Sequence, residues 1–224
     1  MMVGAIVGVG VFGLPFVFAQ AGYMLALIEL LIIGVMLTVL QLMQAEVALQ
    51  TEGKHRLVGY TRTYLGNGWS WIVLFAFAAG VWGAMLAYMI VGGKLLFLFS
   101  SPLFGGTEFV YAFVIATVAS LLIYRGLRFA SKIEVAIVMA LLFLFLFISL
   151  ACIPFIRPSS LLSVSLDQAF VPYGVVLFAL AGVGIVPELH DVLGKFSRAK
   201  LGPIIITGMV LIVVLYAIFS AAVV

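Results

Sequence analysis

The chain has 224 residues, 66% hydrophobic and 8% charged, with a formal net charge of +3 and a mean hydropathy of +1.38. Soluble domains carry roughly 25% charged residues, so this balance excludes a water-soluble globular protein and indicates an integral protein of the lipid bilayer. The single Cys152 excludes an internal disulfide. No basic stripe, zinc-ligand cluster or low-complexity tract points to a nucleic-acid partner, a metal or a cofactor.

A membrane-spanning helix needs about 20 apolar residues, and the sequence offers seven candidate spans. The first covers residues 3–20 and reads Val7-Gly8-Val9-Gly10-Val11-Phe12-Gly13-Leu14-Pro15 at its centre. Glycine weakens a helix and proline removes a backbone donor, so this helix is expected to break. Backbone released at membrane depth must find partners in protein or in a wet cavity, which marks a binding site. The competing reading is packing, since Gly4 and Gly8 also form a small-residue face for a neighbouring helix. No basic region precedes the first apolar run, so it does not read as a cleaved signal peptide.

A short turn at residues 21–23 leads to the second span, 24–49. Residues 50–68 are a polar stretch with Lys54, His55, Arg56 and Arg62. The third span is 69–99, followed by a Pro/Gly loop at 100–107. The fourth is 108–124, then a basic turn at 125–132. The fifth is 133–155, then a Ser-rich loop at 157–168. The sixth is 169–193, then a basic connection at 195–200. The seventh is 203–224. The loops after spans two, four and six hold Lys54, Arg56, Arg62, Arg125, Arg128, Lys132, Lys195, Arg198 and Lys200, which is nine of the 11 Lys and Arg residues. By the positive-inside rule these loops and the N-terminus are cytoplasmic.

The sixth span repeats the anomaly of the first. It carries Gly182-Val183-Gly184, then Pro187 and Glu188. An offset of five helices makes the two spans run in opposite directions across the membrane. A glycine-broken pair at matching places of inverted repeats points to the substrate site of a secondary transporter.

The residues 8–16, followed by Gln20-Ala21-Gly22-Tyr23, resemble the first helix of amino acid permeases of the amino acid–polyamine–organocation superfamily. The closest resemblance is to the amino acid/auxin permease branch, which includes hydroxy and aromatic amino acid permeases. Leu177-Phe178-Ala179 with the glycine break and Pro187-Glu188 resembles that family's sixth helix, and Glu46 and the residues 59–66 fit as well. The resemblance implies an all-α integral membrane fold of the leucine-transporter type, with inverted repeats of five helices. Residues 1–224 then form one transmembrane domain, with 1–155 as the first repeat and 169–224 as the start of the second. It also implies a chain truncated at about seven helices. The helices expected after the seventh include one that supplies part of an ion site in the family.

If the first and sixth helices break at their glycines, the expected substrate-binding residues are Val7, Gly8, Val9, Gly10, Val11, Phe12, Gly13, Phe178, Ala181, Gly182, Val183 and Gly184. Amides at the start of the outer half-helix, near Phe12, suit a carboxylate. Carbonyls of Val7, Gly8, Phe178 and Ala181 suit an ammonium. One zwitterion satisfies both sets. Phe12, Phe178, Trp82 and Tyr88 are candidates for an apolar side-chain pocket, with Gly80 and Gly83 letting the third helix approach. Intramembrane acids are functional candidates by default. Glu29 is one, and Glu188 is a candidate for proton coupling or gating, with Tyr88. The bland readings are lipid-facing or packing aromatics, and a capping acid at a helix start.

The function read from the sequence is therefore cation-coupled symport of a neutral or aromatic amino acid, by alternating access, in the cell membrane. The coupling ion is H+ or Na+ and no cofactor is expected. A non-transporting accessory protein or an inactive permease fragment is the alternative. An enzyme is not expected, because no HExxH, GxSxG or paired membrane acids occur, and the literal GxGxxG at residues 8–13 lies inside a membrane span rather than after a strand.

Overall fold

The computed structural model describes residues 2–124, 127–152, 154, 161–182 and 184–224. Among these the chain is helical and contains no strand. It divides into two compact units, Met1–Tyr60 with Val138–Val224, and Thr61–Ile137.

In the first unit the glycine-rich start folds in pieces. Helix α1 (Met2–Ile6) stops, Gly8 is extended at φ −140° and ψ −155°, and a 3-10 turn occupies Val9–Gly13. Helix α2 (Leu14–Ala21) follows, with Pro15 in its first turn, where no intrahelical donor is needed. Gly22 turns the chain into α3 (Tyr23–Gln50) at φ +87°, and a Cβ there would collide with the backbone of Ser163. Only glycine fits that corner.

The sixth span is interrupted in the same manner. Helix α8 (Val171–Ala179) ends, and α9 (Ile185–Leu193) starts again with Pro187 in its first turn. Gly194, at φ +52°, ends α9. A 3-10 turn at Gly194–Phe196 then leads into α10 (Ser197–Val223).

Helix α10 shows how the core is set. Leu201, Ile205, Met209, Ile212, Tyr216 and Phe219 recur every three or four residues and are buried. Ile206, Val210, Leu211, Val214 and Ile218 lie between them and are exposed. In a bilayer the second set meets acyl chains, and the first gains by close van der Waals fit rather than by escape from water. The buried stripe joins Val11, Leu14 and Phe18 of the first span, Leu30 of α3, and Val176 and Leu180 of the sixth. The 138–152 part of α7 (Leu127–Cys152) adds Phe145, whose ring lies 4.7 Å from Phe219 and 5.8 Å, edge-on, from Phe12.

The second unit is a helical hairpin. Helix α5 (Asn67–Phe104) and α6 (Glu108–Tyr124) are joined by Gly105, Gly106 and Thr107. Gly93 lets the helices touch, since a Cβ there would lie 2.7 Å from the Ala112 Cα. The Tyr111 hydroxyl donates to the Gly105 carbonyl at 2.7 Å and fastens the turn.

Several boundaries differ from the sequence reading. The polar stretch 50–68 contains a helix, α4 (Leu57–Leu65), which buries Tyr60. The expected Pro/Gly loop shrinks because α5 runs through Pro102 to Phe104. Proline has no amide to donate to the carbonyl four residues back, so the helix carries Pro102 at the loss of one bond. Helix α7 begins at Leu127, inside the expected basic turn, and α10 begins at Ser197, before Pro203. Among the described residues four helices are long and apolar enough to cross a membrane: Tyr23–Gln50, Asn67–Phe104, Val135–Cys152 and Ser197–Val223. The breaks divide the first and sixth spans into shorter pieces, and the fourth, Glu108–Tyr124, is a shorter apolar helix of 17 residues.

Candidate functional site

The two interruptions meet. A Cβ built on Gly10 would stand 2.7 Å from the Ala179 Cα and 3.1 Å from its nitrogen. One on Gly13 would stand 2.9 Å from a methyl of Val175, and one on Gly182 would stand 2.5 Å from the Ile6 side chain. Along the first span these contacts run forward, from Ile6 to Gly13. Along the sixth they run backward, from Gly182 to Val175. The broken segments therefore cross antiparallel, with backbone meeting backbone at Gly10 and Ala179. Glycine acts twice here. It allows the helix to leave its ladder at Gly8, and it allows backbone to touch backbone at Gly10. The interruption at Gly8 and close helix packing at Gly10 occur side by side.

Helix ends provide the polar groups. Helix α8 ends with the Leu180 amide donating to the Val176 and Phe178 carbonyls, and the Ala181 amide donating to the Phe178 carbonyl at 3.3 Å. The Ala179 carbonyl accepts from the Tyr216 hydroxyl of α10 at 3.1 Å. On the other side the Val11 amide donates to the Gly8 carbonyl at 3.3 Å, and the Ile185 amide donates to the Gly182 carbonyl at 3.1 Å. The residues 180–184 thus lie between a helix end, rich in carbonyls, and a helix start, rich in amides.

Each residue expected from the sequence has a place. Val7, Gly10 and Val11 are buried at the crossing, and Gly8, Val9 and Gly13 are half-buried. Phe12 and Phe178 are 40% and 37% exposed, at the margin of the crossing. Ala181 is exposed, Gly182 and Gly184 are half-buried, and Val183 lies outside the described residues. Trp82 and Tyr88 belong to the second unit and are exposed there. A Cβ on Gly80 or Gly83 would meet nothing within 4 Å. Glu188 sits in the first turn of α9, exposed, and makes no ion pair among the described residues. Its neighbour Asp191 does, with Arg56 at 3.3 Å. Among the described residues no group of His, Cys, Asp and Glu is arranged to hold a metal ion.

Sequence reading missed Gln41. This α3 side chain is fully buried, and its Nε2 lies 3.5 Å from the point where a Cβ of Gly182 would stand. Nε2 donates to the Met209 sulfur at 3.6 Å, while Oε1 has no partner among the described residues. The signal was legible: Gln41 and Gln44 interrupt an apolar span. The rule that intramembrane polar groups are functional candidates had been applied to acids alone. Tyr216 was missed because a tyrosine in an apolar span reads as packing.

The sequence matches the tryptophan/tyrosine permease family over residues 1–224. The chain belongs to that family. The family is one of aromatic amino acid permeases, which are transporters rather than enzymes, and the long apolar helices fit a multi-pass membrane protein. A search among curated proteins returned no match. In a permease, an antiparallel pair of broken helices at membrane depth is the arrangement that presents backbone charge to a substrate without charged side chains.

Proposed function

We propose that this permease is a secondary active, cation-coupled symporter of aromatic amino acids, working by alternating access across the cell membrane with its N-terminus cytoplasmic. The observation that carries the reading is the antiparallel crossing of the two interrupted helices at Gly10 and Ala179. It supports the inverted-repeat architecture of the leucine-transporter type and membership of the amino acid/auxin permease branch. The substrate carboxylate takes the amides that open the half-helices near Val9–Phe12, and the ammonium takes carbonyls at Val7, Gly8, Phe178 and Ala181. Gly182 and Gly184 lie in the interruption between α8 and α9. Phe12 and Phe178 flank the substrate ring. Glu188 keeps the gating or proton-coupling role, with H+ or Na+ as the driving ion.

The test is uptake of radiolabelled tryptophan and tyrosine into proteoliposomes holding the purified chain, under imposed proton or sodium gradients. Concentrative uptake that collapses with one gradient supports symport. Saturable binding without uptake would instead favour a non-transporting role. Neither binding nor uptake of any aromatic amino acid would overturn the proposal.

A further inference from the structure

We propose that Gln41 is a substrate-recognition residue, whose Oε1 accepts a hydrogen bond from the ammonium group of the bound amino acid. The inference rests on the reading of the crossing as an amino acid site and adds a side chain to a clasp so far made of backbone.

Gln41 lies on α3, and its side chain is completely buried. A primary amide has two donors and an acceptor with two lone pairs. Among the described residues its only partner is the Met209 sulfur, a weak acceptor, 3.6 Å from Nε2. Turned the other way, the amide would set its oxygen against that sulfur and lose even this contact. The orphan is therefore the acceptor. A buried acceptor without a partner is destabilising, and a donor arriving from outside removes that cost.

The donor's position follows from the neighbours. Gly182 has no side chain, and the position its Cβ would take is bounded by Ile6 on one side and Nε2 of Gln41 on the other. Gln41 therefore faces the unwound part of the sixth span, beside the residue that follows Ala181. Ile6, the last residue of α1, lies against the same glycine. Those are the places where helix ends gather carbonyls, and a carbonyl-rich end favours a cation. A neutral amide oxygen suits an ammonium there without adding a buried charge. Gln44, on the same helix, also has both amide atoms buried without a partner among the described residues, so α3 carries two such amides, three residues apart. Gln41 is the one of the two placed at the break.

Competition binding on the full chain in nanodiscs tests the assignment. Labelled tryptophan is displaced by unlabelled tryptophan or by indole-3-propionate, which keeps the ring and carboxylate but lacks the ammonium. Wild type is expected to prefer tryptophan. Gln41→Met, close in volume and without an acceptor, is expected to lower that preference about tenfold or more. Its affinity for indole-3-propionate should stay near that of wild type. A purely structural role would weaken both ligands alike. The second variant, Gln41→Glu, places a negative charge where the ammonium sits and is expected to raise the preference above wild type. An unchanged preference in Gln41→Met, or an unchanged or lower preference in Gln41→Glu, overturns the assignment. Should Gln41→Met not yield folded protein, Gln41→Glu decides alone. Wild type that binds no tryptophan refutes the amino acid reading itself. Wild type that binds both ligands equally refutes only the role of Gln41.

Discussion

Gly10→Ala probes the crossing directly. The added methyl would meet the Ala179 Cα at 2.7 Å and its nitrogen at 3.1 Å, whereas ordinary contacts lie at 3.4–4 Å. The obstacle is backbone, so no rotamer change relieves it. The first and sixth spans must part by roughly 0.7 Å. Overpacking of this kind costs about 1–3 kcal/mol. Alanine recovers part of that, about 0.5 kcal/mol, because glycine loses more chain entropy on folding. Gly10 has no positive φ, so the backbone itself accepts alanine. A net loss of about 1–2 kcal/mol follows, read as a drop in the thermal midpoint of a few degrees in detergent. Tryptophan affinity should fall as well, since the parted segments carry the clasp. Gly80→Ala is the control, because a Cβ there meets nothing within 4 Å. Gly10→Ala that is as stable as Gly80→Ala, with unchanged tryptophan binding, would refute the reasoning.

Other substitutions have expected outcomes. Gly13→Ala meets the Val175 side chain, at 2.9 Å, rather than backbone, so a small side-chain shift eases it and its thermal midpoint should fall less than that of Gly10→Ala. Gly22→Ala combines φ +87° with a collision against the Ser163 backbone, and thermal unfolding should show a loss of about 2 kcal/mol or more. Tyr216→Phe leaves the Ala179 carbonyl without the hydroxyl that donates to it at 3.1 Å, a cost of about 1–2 kcal/mol in the same assay. Arg56→Ala removes a pair whose members are 60% and 20% exposed, so stability should change by less than about 1 kcal/mol. The transport rate should change more than stability does, and the charge exchange Arg56→Asp with Asp191→Arg should restore it.

The parts of the fold that follow from local chemistry were legible in the residues. Gly8, Gly10 and Pro15 announce an interrupted helix, and Gly182 and Pro187 announce its counterpart. Gly22 announces the turn before α3. What the sequence withheld was tertiary. Nothing local says that Gly10 touches Ala179, or that Tyr216 donates to a carbonyl in a different span, because both depend on how distant helices cross. Helix α4 was hidden because Thr61, Arg62 and Thr63 give it polar positions, and polarity was read as loop. Pro102 was read as a breaker, although the last turn of α5 tolerates it. Arg56 and Asp191 were visible as charges, but their pairing depends on how α9 lies against the connection after α3.

The central claim is that both interruptions hold the same ligand. Amide hydrogen exchange, followed by mass spectrometry on the chain in nanodiscs with and without tryptophan, tests it most directly. The account expects slowed exchange at two separate places, the amides of residues 8–13 and those of residues 180–186, with the hairpin of α5 and α6 changed less. Protection at only one of the two interruptions, or at neither while tryptophan is bound, would contradict it.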